Sequence, residues 1–394
     1  MTTAIPRQVE QRRALGPLMR RLRATVGFIL ILGLRGPVDA QAGPPLTIVN
    51  DLSSSPVCAL GNTVSIFAPG QQVIQPGGNS LNVSGEIVDG KVFGRGVADM
   101  KAGTMASLIA FSLLSELRDG WKGRLTFAAV ADEETMGPWG ANYLVDHHPK
   151  LKADAVIIGE PSTPSTVRFG EKGMVWFSLT ARGQMSHSAY PHHGWNAIFE
   201  IVEALAELRG LETMAWSVPE EFLKSIDEAR TVTTAMLGGG TTDVLSSVTV
   251  NAGVIEGGTK INLTADHCRA DVDVRIPPGV ATADILRVVG RVVRRHRGMR
   301  YDLIQRSEPN WTPPGHEFLQ TVRKTATAVC GEAPYFNISA PGTDSRVFRR
   351  AGMPVAVFGP TPYFLGAANE HVTVRDFLDV IRVHALSALE FLRG

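Results

Sequence analysis

The sequence predicts an α/β fold: a mostly parallel sheet with a smaller α+β unit inserted into it. Three observations predict this. RLTFAAVADEE (124–134) and ADAVIIGEP (153–161) are apolar runs that end in acids, as buried strands do when functional groups gather at one sheet edge. Segments of helical period lie between and after them, the alternation that builds parallel sheets. Near residue 172 the pattern changes to alternating strands with two amphipathic helices, and it changes back near 306.

The elements follow in order. Residues 1–42 carry an Arg-rich start ending in MRRLRA, the apolar run TVGFILILGL, and GPVDAQAG. These are the three parts of a secretory signal with a cut after Ala42, although the long basic region also suits an atypical start. The apolar run is too short for an ordinary membrane span. Residues 43–83 are rich in Gly, Pro, Ser, Asn and Gln and keep no period. GEIVDGKVFGRG then reads as a hairpin around Asp89-Gly90, and a helix is expected from about Lys101 to Leu117. GMVWFSLTARG, SSVTVNAGVIEGG and HCRADVDVRIPP read as strands, NAIFEIVEALAELRG and TADILRVVGRVVRRHRG as helices. HEFLQTVRKTATAVCG is a helix, MPVAVFGP a strand, and VRDFLDVIRVHALSALEFL a closing amphipathic helix. The expected division is therefore 1–42 as a signal-like segment, 43–171 with 307–394 as the main unit, and 172–306 as the insertion.

Composition bounds the function. The chain has 394 residues, 44% hydrophobic and 20% charged, enough for two soluble domains with real cores. Its 39 basic and 38 acidic residues give no electrostatic case for nucleic acid. Three cysteines without a CxxC pair indicate neither a zinc knuckle nor a disulfide framework. There is no G-x-S-x-G elbow and no phosphate loop.

Four carboxylates stand at segment ends: Asp99, Glu133, Glu134 and Glu160. Singly, each reads as a cap or a surface acid. The adjacent Glu133 and Glu134 repel each other unless a cation or solvent compensates them, and one can ligate a metal while the other acts as base.

Together with their surroundings these acids form an ordered set. GRGVADMKAG, AVADEETMGPWGA, IIGEPS, ARGQMSHSAYPHHGWNAI and GTDSRVFRRAGMPVAVFGP resemble, in sequence, the M20 family of metal-dependent amidohydrolases and peptidases. That family includes acetylornithine deacetylases, succinyl-diaminopimelate desuccinylases and carboxypeptidase-like enzymes. The resemblance covers about residues 84–394 and implies a catalytic domain with an inserted ferredoxin-like lid and dimerisation domain. It implies a homodimer, an N-acyl amino acid or small peptide as substrate, and two Zn2+, with Co2+ or Mn2+ as substitutes. On this resemblance Asp99 bridges the metals, and is also expected to cap the helix after it. Glu133 is the general base, Glu134 a ligand of the first metal and Glu160 of the second. His187 stabilises the developing oxyanion, often across the dimer, and Asn262 and Arg346 hold the substrate's carbonyl and carboxylate.

The chain departs from this pattern twice. The family's His-x-Asp motif is expected some thirty residues before Asp99, where this chain has APGQQVIQPGGNSLN and no histidine before His147. Residues 1 to about 83 are therefore read as something other than the family's ordinary N-terminal segment. The family's later histidine falls in GAANEHVTV, where Gly366 takes its place and His371 is the candidate replacement. Without imidazoles the ligands are all oxygen, a set that suits magnesium, calcium or manganese better than zinc and leaves room for one ion or none. A second reading follows: a catalytically impaired relative that binds or dimerises. The compartment is open between the cytoplasm and export.

Overall fold

The Asp89-Gly90 turn folds as its residues dictate, both in positive φ, joining β4 (Ile87–Val88) to β5 (Lys91–Phe93) as an antiparallel hairpin. The structure is a computed structural model. It describes residues 85–128, 130–134 and 136–393, and before them three strands: β1 (Ile29–Gly33), β2 (Val73–Ile74) and β3 (Ser80–Leu81). The remainder of the signal-like segment and most of the Gly/Gln/Asn-rich stretch lie outside the described residues.

The larger sheet comprises β1 with β6 (Arg124–Ala128), β7 (Ala155–Ile158), β8 (Thr166–Glu171), β13 (Asn310–Trp311), β14 (Tyr335–Ser339) and β15 (Val355–Val357). Its order is β13-β8-β15-β7-β1-β6, with β14 also on β8. β15 runs parallel to β7, and β14 parallel to β8. β1 is antiparallel to both β6 and β7, and β13 and β15 are antiparallel to β8. The sheet is thus mixed, where a mostly parallel one was expected. An apolar run reports burial on both faces and carries no information about strand direction.

α1 (Ala102–Glu116), α8 (Glu317–Cys330) and α10 (Val374–Arg393) cover one face of this sheet, and α2 (Ala141–His147) packs on the other against Val156 and Ile158. Phe169, Phe318, Val322, Phe358, Val380 and Phe391 form its core. His384 of α10 is fully buried there, with Nε2 donating to the Phe358 carbonyl at 2.7 Å and Nδ1 3.0 Å from Ser107 Oγ of α1. That places the proton on Nε2 and lets the serine hydroxyl donate to Nδ1. Burial holds the ring's pKa down to about 4, against the opposing carbonyl bond. A depressed folded-state value means that stability is complete above the unfolded value near 6.5 and is lost as pH falls toward 4. We expect roughly 3 kcal/mol of acid-induced loss from this group. Urea unfolding of wild type and His384→Asn between pH 7 and 4 checks it: the difference in stability should shrink on acidification, and parallel curves would contradict the assignment.

The inserted residues build a second sheet from β9 (Gly173–Arg182), β10 (Thr249–Gly257), β11 (His267–Ile276) and β12 (Met299–Ser307), in the order β10-β11-β9-β12 and all antiparallel. With α3 (Ala197–Leu208) after β9 and α7 (Thr282–Arg295) after β11, the connectivity is β-α-β-β-α-β, the ferredoxin-like arrangement. Asn196 starts α3 by accepting the Ile198 N–H on its side chain at 2.9 Å. Phe177, Leu179, Ile201, Val274 and Val289 make a separate core.

Three short helices lie between α3 and β10: α4 (Glu220–Glu228), α5 (Arg230–Leu237) and α6 (Thr241–Ser246). Phe222, Ile226 and Leu245 from α4 and α6 pack into the core of the larger sheet, with the Phe222 ring 5.8 Å from Phe169. Lys172, between β8 and β9, ties this segment down by donating to the carbonyls of Val244 (2.6 Å) and Ser247 (2.8 Å).

Candidate active site

Asp99 lies in the turn Val97–Lys101 between β5 and α1. Contrary to expectation it does not cap α1, whose N-cap is Lys101 with no side-chain cap bond. The turn is held from outside. The carboxylate of Glu370, just before β16 (His371–Thr373), accepts the N–H groups of Ala98 (2.9 Å), Gly96 (3.0 Å) and Asp99 (3.4 Å). An anion satisfying three converging amides fixes the backbone, leaving the Asp99 side chain free to face the strand ends.

Glu160 reaches the same place from the end of β7. Its loop is pinned by Ser162, whose Oγ accepts the Gly359 N–H at 2.8 Å, while Ser162 N donates to the Pro360 carbonyl at 3.1 Å. α1 comes close because two glycines cross: a Cβ on Gly103 would stand 1.7 Å from the Gly159 carbonyl oxygen. Glu160 is buried, and burial first, then the charges of Glu133 and Asp99, push its pKa well above the usual carboxylate range. Burial and then Glu134 and Glu370 raise Asp99 to about 6, while a hydrogen bond to Glu160 and the charge of Arg168 act the other way. Two carboxyl groups can share a hydrogen bond only by sharing a proton.

Glu133 and Glu134 follow β6 on a tight turn. Asp132 has φ 65°, Gly137 N donates to the Asp132 carbonyl at 3.0 Å, and Trp139 N donates to the Asp132 carboxylate at 3.1 Å. The turn aims the two glutamates apart. Glu134 is exposed, whereas Glu133 points at Arg346, with Oε1 4.0 Å from Nη1. Burial, then Asp344 and Glu134, push Glu133 up to about 8 against the pull of Arg346. Arg346 sits in α9 (Ser345–Arg350), buried, with Nη1 on the Thr343 carbonyl at 2.6 Å and Nη2 3.9 Å from Asp344.

The structure therefore brings Asp99, Glu133, Glu134, Glu160 and Arg346 within electrostatic reach of one another. It does not add His371. That ring stacks on Tyr363 at 4.9 Å, lies 5.0 Å from Phe93, and turns Nδ1 to the Asn369 carbonyl at 2.9 Å. His187 and Asn262 meet on the inserted unit, where His187 bridges to Leu263 and Ser188 N donates to the Asn262 carbonyl at 3.0 Å. His187 is exposed, and the Asn262 side-chain oxygen is buried with no partner among the described residues.

Four residues that sequence reasoning missed complete the cluster. Arg168 on β8 is the internal counter-charge to Glu160, Glu171 and Asp99. Glu171 accepts from Thr343 and Ser345. Asp344 is buried and raised to about 6, and Glu370 anchors the Asp99 turn. Only the last two carried a signal, Asp344 by standing inside GTDSR and Glu370 by standing beside His371.

This geometry coincides with a family match. The model of peptidase family M20/M25/M40 matches residues 73–390. The chain belongs to that family. This M20 chain is 26% identical over 316 residues to the succinyl-diaminopimelate desuccinylase of Psychromonas ingrahamii, covering 78% of this chain and 76% of that protein. It is 23% identical to an uncharacterized metallohydrolase of Methanocaldococcus jannaschii, covering 75% and 72%. In fold it is similar to the M20 family metallo-carboxypeptidase Sso-CP2 from Sulfolobus solfataricus, with TM-score 0.65, 18% identity and 78% and 79% coverage. It is similar too to human carnosine dipeptidase 1, with TM-score 0.56, 16% identity and 78% and 74% coverage. This M20 protein is a hydrolase acting on C–N amide or peptide bonds, and the family's hydrolysis is metal-dependent.

The donors of this M20 chain do not fit a zinc pair. His371 faces an aromatic box, and Gly366 holds the place of a histidine, so Asp99 and Glu160 are left as oxygen donors without an imidazole beside them. Among the described residues no three His, Cys, Asp or Glu side chains close on a common point.

Proposed function

We propose that this chain hydrolyses the amide bond of an N-acyl amino acid or small peptide, in the manner of a deacetylase or carboxypeptidase. The observation that carries this reading is the pairing of the half-buried Glu133 with the buried Arg346 at 4.0 Å. A carboxylate-bearing substrate seated on the Arg346 fork sets its amide beside Glu133. Glu133 takes a proton from the attacking water and returns it to the leaving amine, a task suited to a carboxyl whose pKa is raised to about 8. Residues 43–171 with 307–394 serve as the catalytic domain, and 172–306 as a lid.

A panel of N-acyl amino acids and dipeptides, with mass-spectrometric detection of the freed amino acid, tests the reading. Arg346→Ala should raise KM roughly 10- to 100-fold, the worth of a hydrogen bond to a charged group. Unchanged KM would remove Arg346 from substrate binding.

The second reading, an impaired relative that binds without turnover, is favoured by the donor set: among the described residues no three His, Cys, Asp or Glu side chains close on a common point. Elemental analysis after dialysis against zinc separates the two. We expect fewer than two ions per chain; two, with turnover, would show that the ligand set closes in solution.

The lid also supplies the homodimer contact in our reading. Its outer strand β10 leaves Val254 and Ile255 exposed, and Ile261 beside it is 99% exposed. Sedimentation equilibrium should give twice the 42.4 kDa chain mass; a monomer at tens of micromolar would contradict it.

A further inference from the structure

Glu171, the last residue of β8, is buried, and its backbone is held from both sides. β13 places Asn310 opposite it, and β14 places Ser339 opposite it on the other edge. The N–H of Lys172, the next residue, donates to the Ser339 carbonyl at 2.9 Å. A strand clamped on two edges is a rigid base for a side chain. Arg346 has no such base of its own, because it stands at the second position of the six-residue α9, after the irregular stretch 340–344.

Glu171 connects the two. Its Oε1 accepts the hydroxyls of both Thr343 and Ser345. Each hydroxyl has one proton to give, and both are spent on Glu171, so the two oxygens are left to accept. Thr343 Oγ1 takes the Ser345 N–H at 3.2 Å, and Ser345 Oγ takes Arg349 Nη1 at 3.1 Å. That proton count leaves each hydroxyl a single orientation. Thr343 passes the placement on, since its carbonyl accepts the Arg346 N–H at 3.2 Å and the guanidinium Nη1 at 2.6 Å. Arg346 Nη2 has no hydrogen-bond partner among the described residues and lies 3.9 Å from Asp344.

We propose that Glu171 is a positioning residue: through the Thr343 hydroxyl and carbonyl it sets where the Arg346 guanidinium meets the substrate's carboxylate. The proposal rests on the reading of Arg346 as the anchor beside Glu133. Glu171 itself touches no substrate. It fixes Thr343, and Thr343 fixes Nη1. The guanidinium is planar and rigid, so its unspent N–H groups then face one way. A fork that drifts loses the second of its two parallel bonds to a carboxylate.

Crystal structures of wild type, Glu171→Ala and Thr343→Val test the placement without any turnover. In Glu171→Ala the Arg346 guanidinium should leave the Thr343 carbonyl, while Arg349 keeps its bond to the Val355 carbonyl. Thr343→Val removes the hydroxyl and keeps the carboxylate, and should displace Arg346 even if Glu171→Ala fails to fold. An unmoved guanidinium in either folded variant would overturn the proposal. On the N-acyl amino acid panel, Glu171→Ala should raise KM roughly ten-fold and change kcat far less. Glu171→Gln, which keeps an oxygen for both hydroxyls, should recover most of that loss. Added to Arg346→Ala, Glu171→Ala should raise KM no further, because the two act as one unit. A fall in kcat alone, a glutamine variant as impaired as alanine, or a double variant whose rise in KM is the product of the single ones would overturn the proposal. If wild type cleaves no amide, the proposed activity fails, and the crystal structures still decide the placement of Arg346.

Discussion

Glu133→Gln is expected to lower kcat/KM by roughly 10²- to 10⁴-fold, the usual worth of a positioned proton-transfer group, while making the protein harder to unfold. The two effects share one cause. The Glu133 carboxyl is half-buried and faces Asp344 and Glu134, which holds its pKa at about 8. An acid raised in the folded state leaves stability complete below the unfolded value near 4.5, and that stability is lost as pH climbs toward 8. At pH 7 the loss is roughly 3 kcal/mol, and glutamine, which carries no proton to lose, escapes it. Chemical denaturation at pH 5 and pH 7 should therefore show a gain for the variant that is larger at pH 7. Loss of activity together with loss of stability would make Glu133 a packing residue. Retained activity would remove it from the chemistry.

Gly103→Ala should damage the protein more than any other single methyl group considered. The added Cβ would lie 1.7 Å from the Gly159 carbonyl oxygen and 2.6 Å from its carbon, both backbone atoms that cannot swing aside. Alanine favours a helix over glycine by about 1 kcal/mol, but forcing α1 off the end of β7 costs about 3 kcal/mol or more. Strain wins, and the net loss is about 2 kcal/mol or more. The same displacement separates Asp99, ahead of α1, from Glu160, next to Gly159. Activity should fall along with the urea midpoint, whereas Gly210→Ala, where a Cβ meets nothing within 4 Å, should change neither. A Gly103→Ala protein of unchanged midpoint would show that the crossing relaxes freely.

How much of this was legible depended on whether the signal was local. The Asp89-Gly90 hairpin and α10 could be read from turn chemistry and period, because those preferences act within a few residues. β12 was missed for a visible reason: a bulge between Leu303 and Gln305 breaks the alternation of MRYDLIQRS, so its two halves fall out of phase. Strand direction in the larger sheet was misjudged because burial on two faces looks alike either way.

In the site, Asp99, Glu133, Glu134 and Glu160 were found because each ends a segment within a recognisable run. Arg168 and Glu171 were not. Each stands mid-strand or at a strand's last residue in β8, and its importance comes from neighbours far away in sequence. Glu370 is a similar case, since its partners Gly96 and Ala98 lie more than 270 positions earlier. The expected helix cap at Asp99 failed because the amides it would have served are already taken: Lys101 N–H donates to the Gly96 carbonyl and Ala102 N–H to the Val97 carbonyl.

The placement of β1 has a consequence for the order of synthesis. Ile29 lies opposite Ala128, and Leu30 opposite Ile157, so β1 fills a slot whose two walls, β6 and β7, are synthesised well after it. Contacts of such long sequence separation form slowly, and ILILG has to wait as an unpaired, β-prone segment. A protease cutting after Ala42 would carry the strand away and leave β6 and β7 with bare edges facing each other. On this placement, a cut after Ala42 and completion of the sheet by β1 would exclude each other.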